Sequence, residues 1–432
     1  MALYQKLFLF IVLLSSIGVL AYIPSQSDFL WIISSYSVAF FAYYFLLKFK
    51  WTATELLILA AVIRIILIPA FPNLSDDLYR FIWDGNLIVE GVNPYIHLPT
   101  EITEKYDWAS VDGELFTQMN SPEYYTIYPP LNQFVFGISS LLGGGQLFGS
   151  MLVMKICLFL AELSTVLLLI KLLQLKKLDI SLAGIYAFNP LAINEIMTNM
   201  HFEGMMLLFL LIGIFMLKKN KLFYSVTAIA VSIGVKLIPL MFMPLLIPYL
   251  GFKKAFRYFL MLGIVLLIVF FPIWINLPFF LQSLDLYFQK FEFNASVYYV
   301  FRWIGFKVYG YNQIAKLGPL LALCTIGIIV LLSVNLYKRK SSHLATYFLY
   351  ALTAYLIFAT TVHPWYIIPM VGIASLTPYR YPLFWSFLIT FTYINYSYDP
   401  YHENLWFVSF EYLTLFAVLF WDFIIRKTPS AQ

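Results

Sequence analysis

Apolar runs of about 20 residues, repeated along nearly the whole chain, constrain this sequence more than any other feature. A run of that length lets a helix cross a hydrocarbon layer about 30 Å thick. A helix also satisfies its own backbone hydrogen bonds there, which irregular chain cannot do. Such runs lie near 5–22, 28–47, 54–71, 150–173, 181–198, 203–217, 257–277, 314–337, 344–361, 364–377, 382–396 and 405–425. Charged residues make up 11% of the 432 and hydrophobic residues 62%. A soluble domain carries about 25% charge, so that class is excluded, and disorder and coiled coil fall with it. Aromatic residues at 19% suit a chain whose solvent is lipid and the lipid interface. Cys157 and Cys324 both lie in apolar runs and read as small buried hydrophobes, not as a disulfide or a metal site. The expectation is an all-α polytopic membrane protein of roughly 12–13 transmembrane helices, forming a single domain over residues 1–432.

Two stretches are ambiguous. Residues 131–145 end in three glycines and are short for a span, and 222–250 are interrupted at Lys236 and Pro239, which reads as a hairpin of two short helices. Met1–Tyr22 lacks a small-residue cleavage pattern and reads as an uncleaved first span. With the N-terminus inside, 131–145 re-entrant and 222–250 a hairpin, 18 of the 27 basic residues fall on the cytoplasmic side. That is the bias expected of short loops. The loop 72–130 shows the opposite asymmetry, with ten of the 22 acidic residues and only Arg80 and Lys105 as cations. It therefore reads as an outer loop, as does 278–313. Loops of this length are usually functional or disordered, and 72–130 is too aromatic to be disordered.

The densest polar cluster is Ser75-Asp76-Asp77-Leu78-Tyr79-Arg80-Phe81-Ile82-Trp83-Asp84-Gly85, directly after the third run. Two adjacent carboxylates at a membrane surface cannot both be cheaply desolvated, so one stays available as a base while a partner holds the other. Asp77, Arg80 and Asp84 share a helical face and can form an ion-paired ridge. Phe81, Trp83 and Leu87 suit that helix to lying along the interface. Gly91-Val92-Asn93-Pro94-Tyr95 and Tyr128-Pro129-Pro130 read as rigid turns. Further polar groups sit at the outer ends of later runs: Asn189, Asn194, Glu195 and Asn199 lead into His201-Phe202-Glu203, followed by His363-Pro364-Trp365-Tyr366, and by Asp399, His402 and Glu403. Their spacing fits no zinc pattern, so neither metal nor cofactor is expected. Lys236 has no charged neighbour within ten residues, and Arg302 follows Tyr298-Tyr299. Two such cations suit a phosphate, with Arg matching its oxygens geometrically. Lys155 and Glu162 share a face of one run and are expected to pair with each other.

These blocks resemble the GT-C glycosyltransferases, and are most similar to bacterial polyprenyl-phosphate-mannose-dependent mannosyltransferases. The likeness rests on Asp76-Asp77-Leu78-Tyr79 with Trp83-Asp84-Gly85, Gly91-x-Asn93-Pro94-Tyr95, Tyr128-Pro129-Pro130, Lys236-Leu-Ile-Pro239 and His363-Pro364-Trp365-Tyr366. It implies a GT-C-like fold with two large outer loops. In the family an acidic pair, commonly Asp-Glu, carries the catalytic Asp in the first outer loop. Asp76 occupies that position here, with Asp77 beside it. Two runs also precede the one leading to the motif, where many relatives have none. The implied activity is hexose transfer, most simply of mannose, from a polyprenyl-phosphate donor to a hydroxyl of a glycan or glycolipid acceptor. The implied place is the outer face of a bacterial cytoplasmic membrane. The residues supply what such a reaction needs: Asp76 or Asp77 to take the hydroxyl proton, Lys236 with Arg302 for the leaving phosphate, and aromatic helices for the isoprenoid. Arg80, Asp84, His201, Glu203, His363, Trp365 and Tyr366 are the expected sugar or acceptor contacts. A single displacement inverts the anomeric centre. No Gly-rich phosphate loop or nucleotide fingerprint is present, which argues against a nucleotide-sugar donor, and no nucleic acid is expected as a partner. The alternative is a transporter or flippase of lipid-linked sugars, which needs polar groups at the midplane and paired broken helices.

Overall fold

The computed structural model describes residues 2–105, 113–340 and 343–425. Its elements are helices, with one isolated parallel bridge between Phe293 and Thr361 among the described residues. Five helices are individually long and apolar enough to cross a membrane: Leu3–Tyr22, Phe29–Leu46, Leu147–Leu175, Ile314–Arg339 and Leu405–Ile424. A bent pair, Pro190–Thr198 with Glu203–Lys218, makes a sixth if counted as one span. Leu222–Val235, Ile238–Leu250, Leu344–Phe358 and Pro364–Ala374 are shorter apolar helices. Large apolar side chains such as Phe8, Phe41, Leu331 and Leu413 are exposed on these elements, as a lipid solvent permits. The protein is an all-α polytopic membrane protein.

Helices α1 (Ala2–Tyr22), α2 (Phe29–Leu46) and α3 (Ala53–Ile65) precede the acidic motif. Thr52 and Glu55 start α3 with a reciprocal capping box, and Lys6 of α1 reaches Glu55 at 3.1 Å. The third run was expected to stay helical to residue 71, but α3 ends at Ile65. The chain after it loosens into turns whose Leu67 and Ala70 carbonyls accept hydrogen bonds from the buried Lys155 ammonium. This corrects the expected Lys155–Glu162 pair. Glu162 instead takes Arg64 of α3 at 2.9 Å and the Tyr186 hydroxyl at 2.5 Å. Sharing a helical face did not decide the partner, because tertiary neighbours offered better geometry to both residues.

Helix α4 (Asp77–Val89) turns its apolar side chains into the protein rather than outward. Phe81, Trp83 and Leu87 are all at most 2% exposed, because α5 (Pro130–Gly143) packs directly on it. Gly85 allows that approach: a Cβ there would fall 2.4 Å from Ser140 Oγ and 2.5 Å from the Phe136 carbonyl oxygen. Gly144 and Gly145, both at positive φ, end α5 and turn the chain into α6 (Leu147–Leu175). Cys324 is exposed on its helix and Cys157 is partly buried, so the expectation of buried cysteines holds for neither in full.

The run 181–198 is not one helix. It divides into Ile180–Ala183, Gly184–Ala187, Pro190–Ile193 and a wide π turn Asn194–Thr198. Pro190 lacks the N–H a continuous helix needs, and the Asn189 side chain restarts the helix by accepting the Ala192 N–H at 3.0 Å. The following helix α7 (Glu203–Lys218) leaves at 112°. Helix α8 (Leu222–Val235) likewise stops at Lys236, which is extended at φ −149 and ψ 143. The hairpin expected over 222–250 is thus two helices parted at Lys236.

Candidate active site

Both breaks deliver side chains to the place where α4 begins. Between the halves of the bent pair, Met200 adopts φ +65, an uncommon conformation for a side-chain-bearing residue. The bend places His201 and Glu203 beside Asp77. Across from them, Asn132 of α5 donates to the Val235 carbonyl at 2.9 Å and fixes the end of α8. Lys236 then reaches Glu203 Oε1 at 3.0 Å, with its ammonium 5.8 Å from the Tyr128 ring centroid.

Asp77 is part-exposed. Its Oδ2 lies 3.9 Å from His201 Nδ1, and the Tyr128 hydroxyl faces it. Burial pushes the Asp77 carboxyl above its ordinary range; Lys236 and Tyr128 oppose this, while Glu203 and Asp76 add to it. Asp76 occupies the N-cap position without capping the helix through its side chain. It is exposed, and among the described residues no hydrogen bond or ion pair occupies its carboxylate, which partial burial also shifts upward.

A wall of stacked rings runs away from this cluster. His201 stacks on Trp365 at 3.7 Å, Trp365 on His363 at 4.4 Å, and His363 on Phe293 at 4.7 Å. Tyr366 meets His363 edge-on at 5.5 Å. The bridge at Phe293 ties the segment after residue 290 into the wall: its N–H donates to the Thr360 carbonyl at 3.0 Å, and its carbonyl accepts from Val362 at 2.8 Å. Burial and the Lys236 charge push the His363 imidazole down to about 3. Burial, Lys236 and His363 likewise hold His201 well below the ordinary histidine range. Stacked rings beside carboxylates and one ammonium suit a polar, hydroxyl-rich ligand that carries a negative charge.

Asp77, His201, Glu203, Lys236, His363, Trp365 and Tyr366, all singled out in the sequence, therefore come together. Arg80 and Asp84 pair with each other at 2.8 Å, as the helical spacing suggested, and both are buried. Arg80 also donates to the Ser121 and Tyr124 carbonyls, and Gln133 donates to Asp84 at 2.7 Å. They anchor the segment around Ser121 and Tyr124 onto α4 and α5. Among the described residues no contact joins Arg302 to Lys236. Arg302 pairs with Glu292 and lies 4.2 Å from the Tyr299 ring centroid, while Glu292 also takes the Tyr298 hydroxyl at 2.5 Å and Asn312 at 3.1 Å. Two participants were not recognised from the sequence. Tyr128 read as a turn residue and as part of a block carrying the resemblance but was given no site role, and Phe293 carried no signal of its own. Asp399 and His402 stay near the surface, whereas Glu403 accepts the Asn294 N–H at 2.6 Å and the Tyr299 hydroxyl.

A family model described as alpha-(1->6)-mannopyranosyltransferase, N-terminal domain, matches residues 25–251, just over half of the chain. The chain belongs to this family. It is a membrane glycosyltransferase, of the GT-C type expected from the motifs, and a mannosyltransferase by family, which implies a sugar donor and a glycan acceptor. No curated protein matches the chain. The matched segment of this mannosyltransferase holds Asp76, Asp77, Tyr128, His201, Glu203 and Lys236, whereas the ring wall from Phe293 to Trp365 lies beyond it.

Proposed function

We propose that the protein transfers mannose from a polyprenyl-phosphate-linked donor to an acceptor hydroxyl, with inversion, and that Asp76 is the general base. The observation that carries this reading is the single ammonium of Lys236, held open to the cluster beside an unspent carboxylate at Asp76. The donor's leaving group is a phosphate anchored in the membrane. Lys236 meets it and stabilises the charge that grows as the sugar departs. Asp76 takes the acceptor's hydroxyl proton; an oxocarbenium-like transition state releases it late, so a modest base suffices. The hydroxyl oxygen bonds to the anomeric carbon, the carbon–phosphate oxygen bond breaks, and polyprenyl phosphate leaves with the electron pair. His201, Trp365, His363 and Tyr366 form the surface against which the sugar rests. Arg302, already spent on Glu292, has no part in this scheme. The basic residues gathered in the opposite loops support a site facing away from the cytoplasm, at the outer face of a bacterial cytoplasmic membrane.

The test is incubation of purified protein in lipid with labelled polyprenyl-phosphate-mannose, or with a nucleotide-linked mannose, in the presence of chelator. Labelled glycan from the polyprenyl donor alone is the expected result. Transfer only from the nucleotide sugar, or movement of the intact lipid-linked sugar without transfer, would overturn it.

A further inference from the structure

Asp77, His201 and Glu195 stand in a row. His201 Nδ1 faces Asp77 Oδ2 at 3.9 Å, and His201 Nε2 faces Glu195 Oε2 at 3.4 Å. Glu195 is fully buried in the π turn. It accepts hydrogen bonds from the Tyr393 hydroxyl at 2.6 Å, the Tyr36 hydroxyl at 3.3 Å and the Asn199 amide at 3.1 Å. A buried carboxylate is costly in such surroundings and marks function. Nothing in the transfer scheme above uses it.

We propose that Asp77 is the protonated member of the acidic pair, kept so by His201, whose tautomer Glu195 fixes, and that Asp76 is thereby left ionised to act as the base. The inference rests on the functional reading above and assigns roles within the same site. Glu195 is a positioning residue, acting through His201.

A neutral imidazole has one N–H and one lone pair. Three donors already hold Glu195 as an acceptor, so the imidazole N–H belongs on Nε2, pointing at Glu195. The Nδ1 lone pair then points at Asp77. Two lone pairs facing each other repel, and a proton on Asp77 Oδ2 turns the contact into an O–H···N hydrogen bond. Both contacts are longer than formed hydrogen bonds, and such contacts tighten when substrate closes a site. The other charges around Asp77 act both ways. Asp76 and Glu203 favour the protonated form; Lys236 and the Tyr128 hydroxyl favour the ionised one, but Glu203 meets the Lys236 charge at 3.0 Å. Burial adds to the protonated side. Two adjacent carboxylates forced to ionise in succession also divide the roles, because the second proton is the harder to remove.

Infrared difference spectra and kinetics on the full-length protein in lipid test this. The mutant-minus-wild-type spectrum at neutral pH should show loss of one protonated-carboxyl C=O component in Asp77→Asn and no such loss in Asp76→Asn, with the contribution of Glu403 common to all. Asp77→Asn, an isostere of the protonated acid, should lose about tenfold in turnover, against about 10²–10⁴-fold for Asp76→Asn. Glu195→Gln releases the tautomer, lets Asp77 ionise and so makes Asp76 harder to ionise. The acidic limb of the turnover–pH profile should therefore move upward by on the order of one unit. The same change made in an Asp77→Asn background should leave the limb in place, which a merely structural role of Glu195 does not predict. A band lost in Asp76→Asn instead, an inert Asp77→Asn beside an active Asp76→Asn, or an unmoved limb in Glu195→Gln protein that folds normally would overturn the assignment. Near-normal transfer by both Asn variants would overturn the functional reading as well.

Discussion

Two ion pairs, each joining separate helices, show how differently one chain uses charge. Arg64 and Glu162 are fully buried; Arg64 contacts the carboxylate through two nitrogens, at 3.1 and 2.9 Å, and spends a third on the Ala60 and Ala187 carbonyls. Lys236 and Glu203 meet through one contact at 3.0 Å, with the lysine side chain 22% exposed. The first pair is saturated and sealed. The second leaves a cation with unused donors beside Asp77, and Lys is the residue whose point charge can turn from one anion to another. Saturation therefore separates charge that holds helices together from charge that can meet a ligand. The Glu292–Arg302 pair falls between the two: both side chains are part-exposed, and it is Glu292, not Arg302, that takes further hydrogen bonds, from Tyr298 and Asn312.

The comparison sets an order of effects. Asp76→Asn should leave donor binding intact and reduce turnover by about 10²–10⁴-fold, read as a fall in kcat in a labelled-donor assay. Arg64→Met strands the buried Glu162 and should lower stability by about 3–5 kcal/mol, seen as a lower unfolding temperature in detergent with KM for the donor little changed in the folded fraction. A fall in turnover with stability intact would move Arg64 out of the sealed class. Lys236→Ala removes a charge-assisted contact of about 1.5–3 kcal/mol. Donor affinity should then fall by about 10–100-fold, measured by titration. Arg302→Ala should change donor affinity by less than about threefold, since Glu292 already balances its charge. A loss as large as that of Lys236→Ala would place Arg302 at the donor phosphate and break the distinction drawn from saturation. The smallest effect concerns Glu403, whose carboxyl burial pushes up to about 7. A raised carboxyl favours the folded form while it is protonated, so its contribution is full below the unfolded value and is lost as pH rises through about 7. Unfolding temperature should decline slightly over that window, and Glu403→Gln should flatten the decline.

Much of this was legible in the sequence, and the reason is physical. Charge is so rare in the apolar runs that Asp76-Asp77, His201-Phe202-Glu203, Lys236 and His363-Pro364-Trp365-Tyr366 stand out wherever they occur, and most of them converge. Lys236 in particular combines a lone cation with a Pro three residues on, which marks both a charge and a helix break. Partners were less legible, since they come from other helices: Lys155 and Glu162 satisfy their shared helical face, yet each bonds to α3 or its following turn. Burial of α4 was hidden for a similar reason. Its Phe81 and Trp83 suit a lipid interface as well as a protein one, and only the close approach of α5 at Gly85 decides between them. The broken run 181–198 carried a signal in Asn189-Pro190, but its apolar composition alone read as a continuous span.

The central claim is that the open cluster around Asp76, Asp77 and Lys236 is where donor phosphate and sugar meet. A structure of the Asp76→Asn variant trapped with polyprenyl-phosphate-mannose in a lipid disc tests it most directly. The account predicts the donor phosphate within hydrogen-bond reach of Lys236 Nζ, the mannose against the Trp365 and His363 rings, and the anomeric carbon facing residue 76. A phosphate seated on Arg302, or a sugar remote from the ring wall, would contradict it.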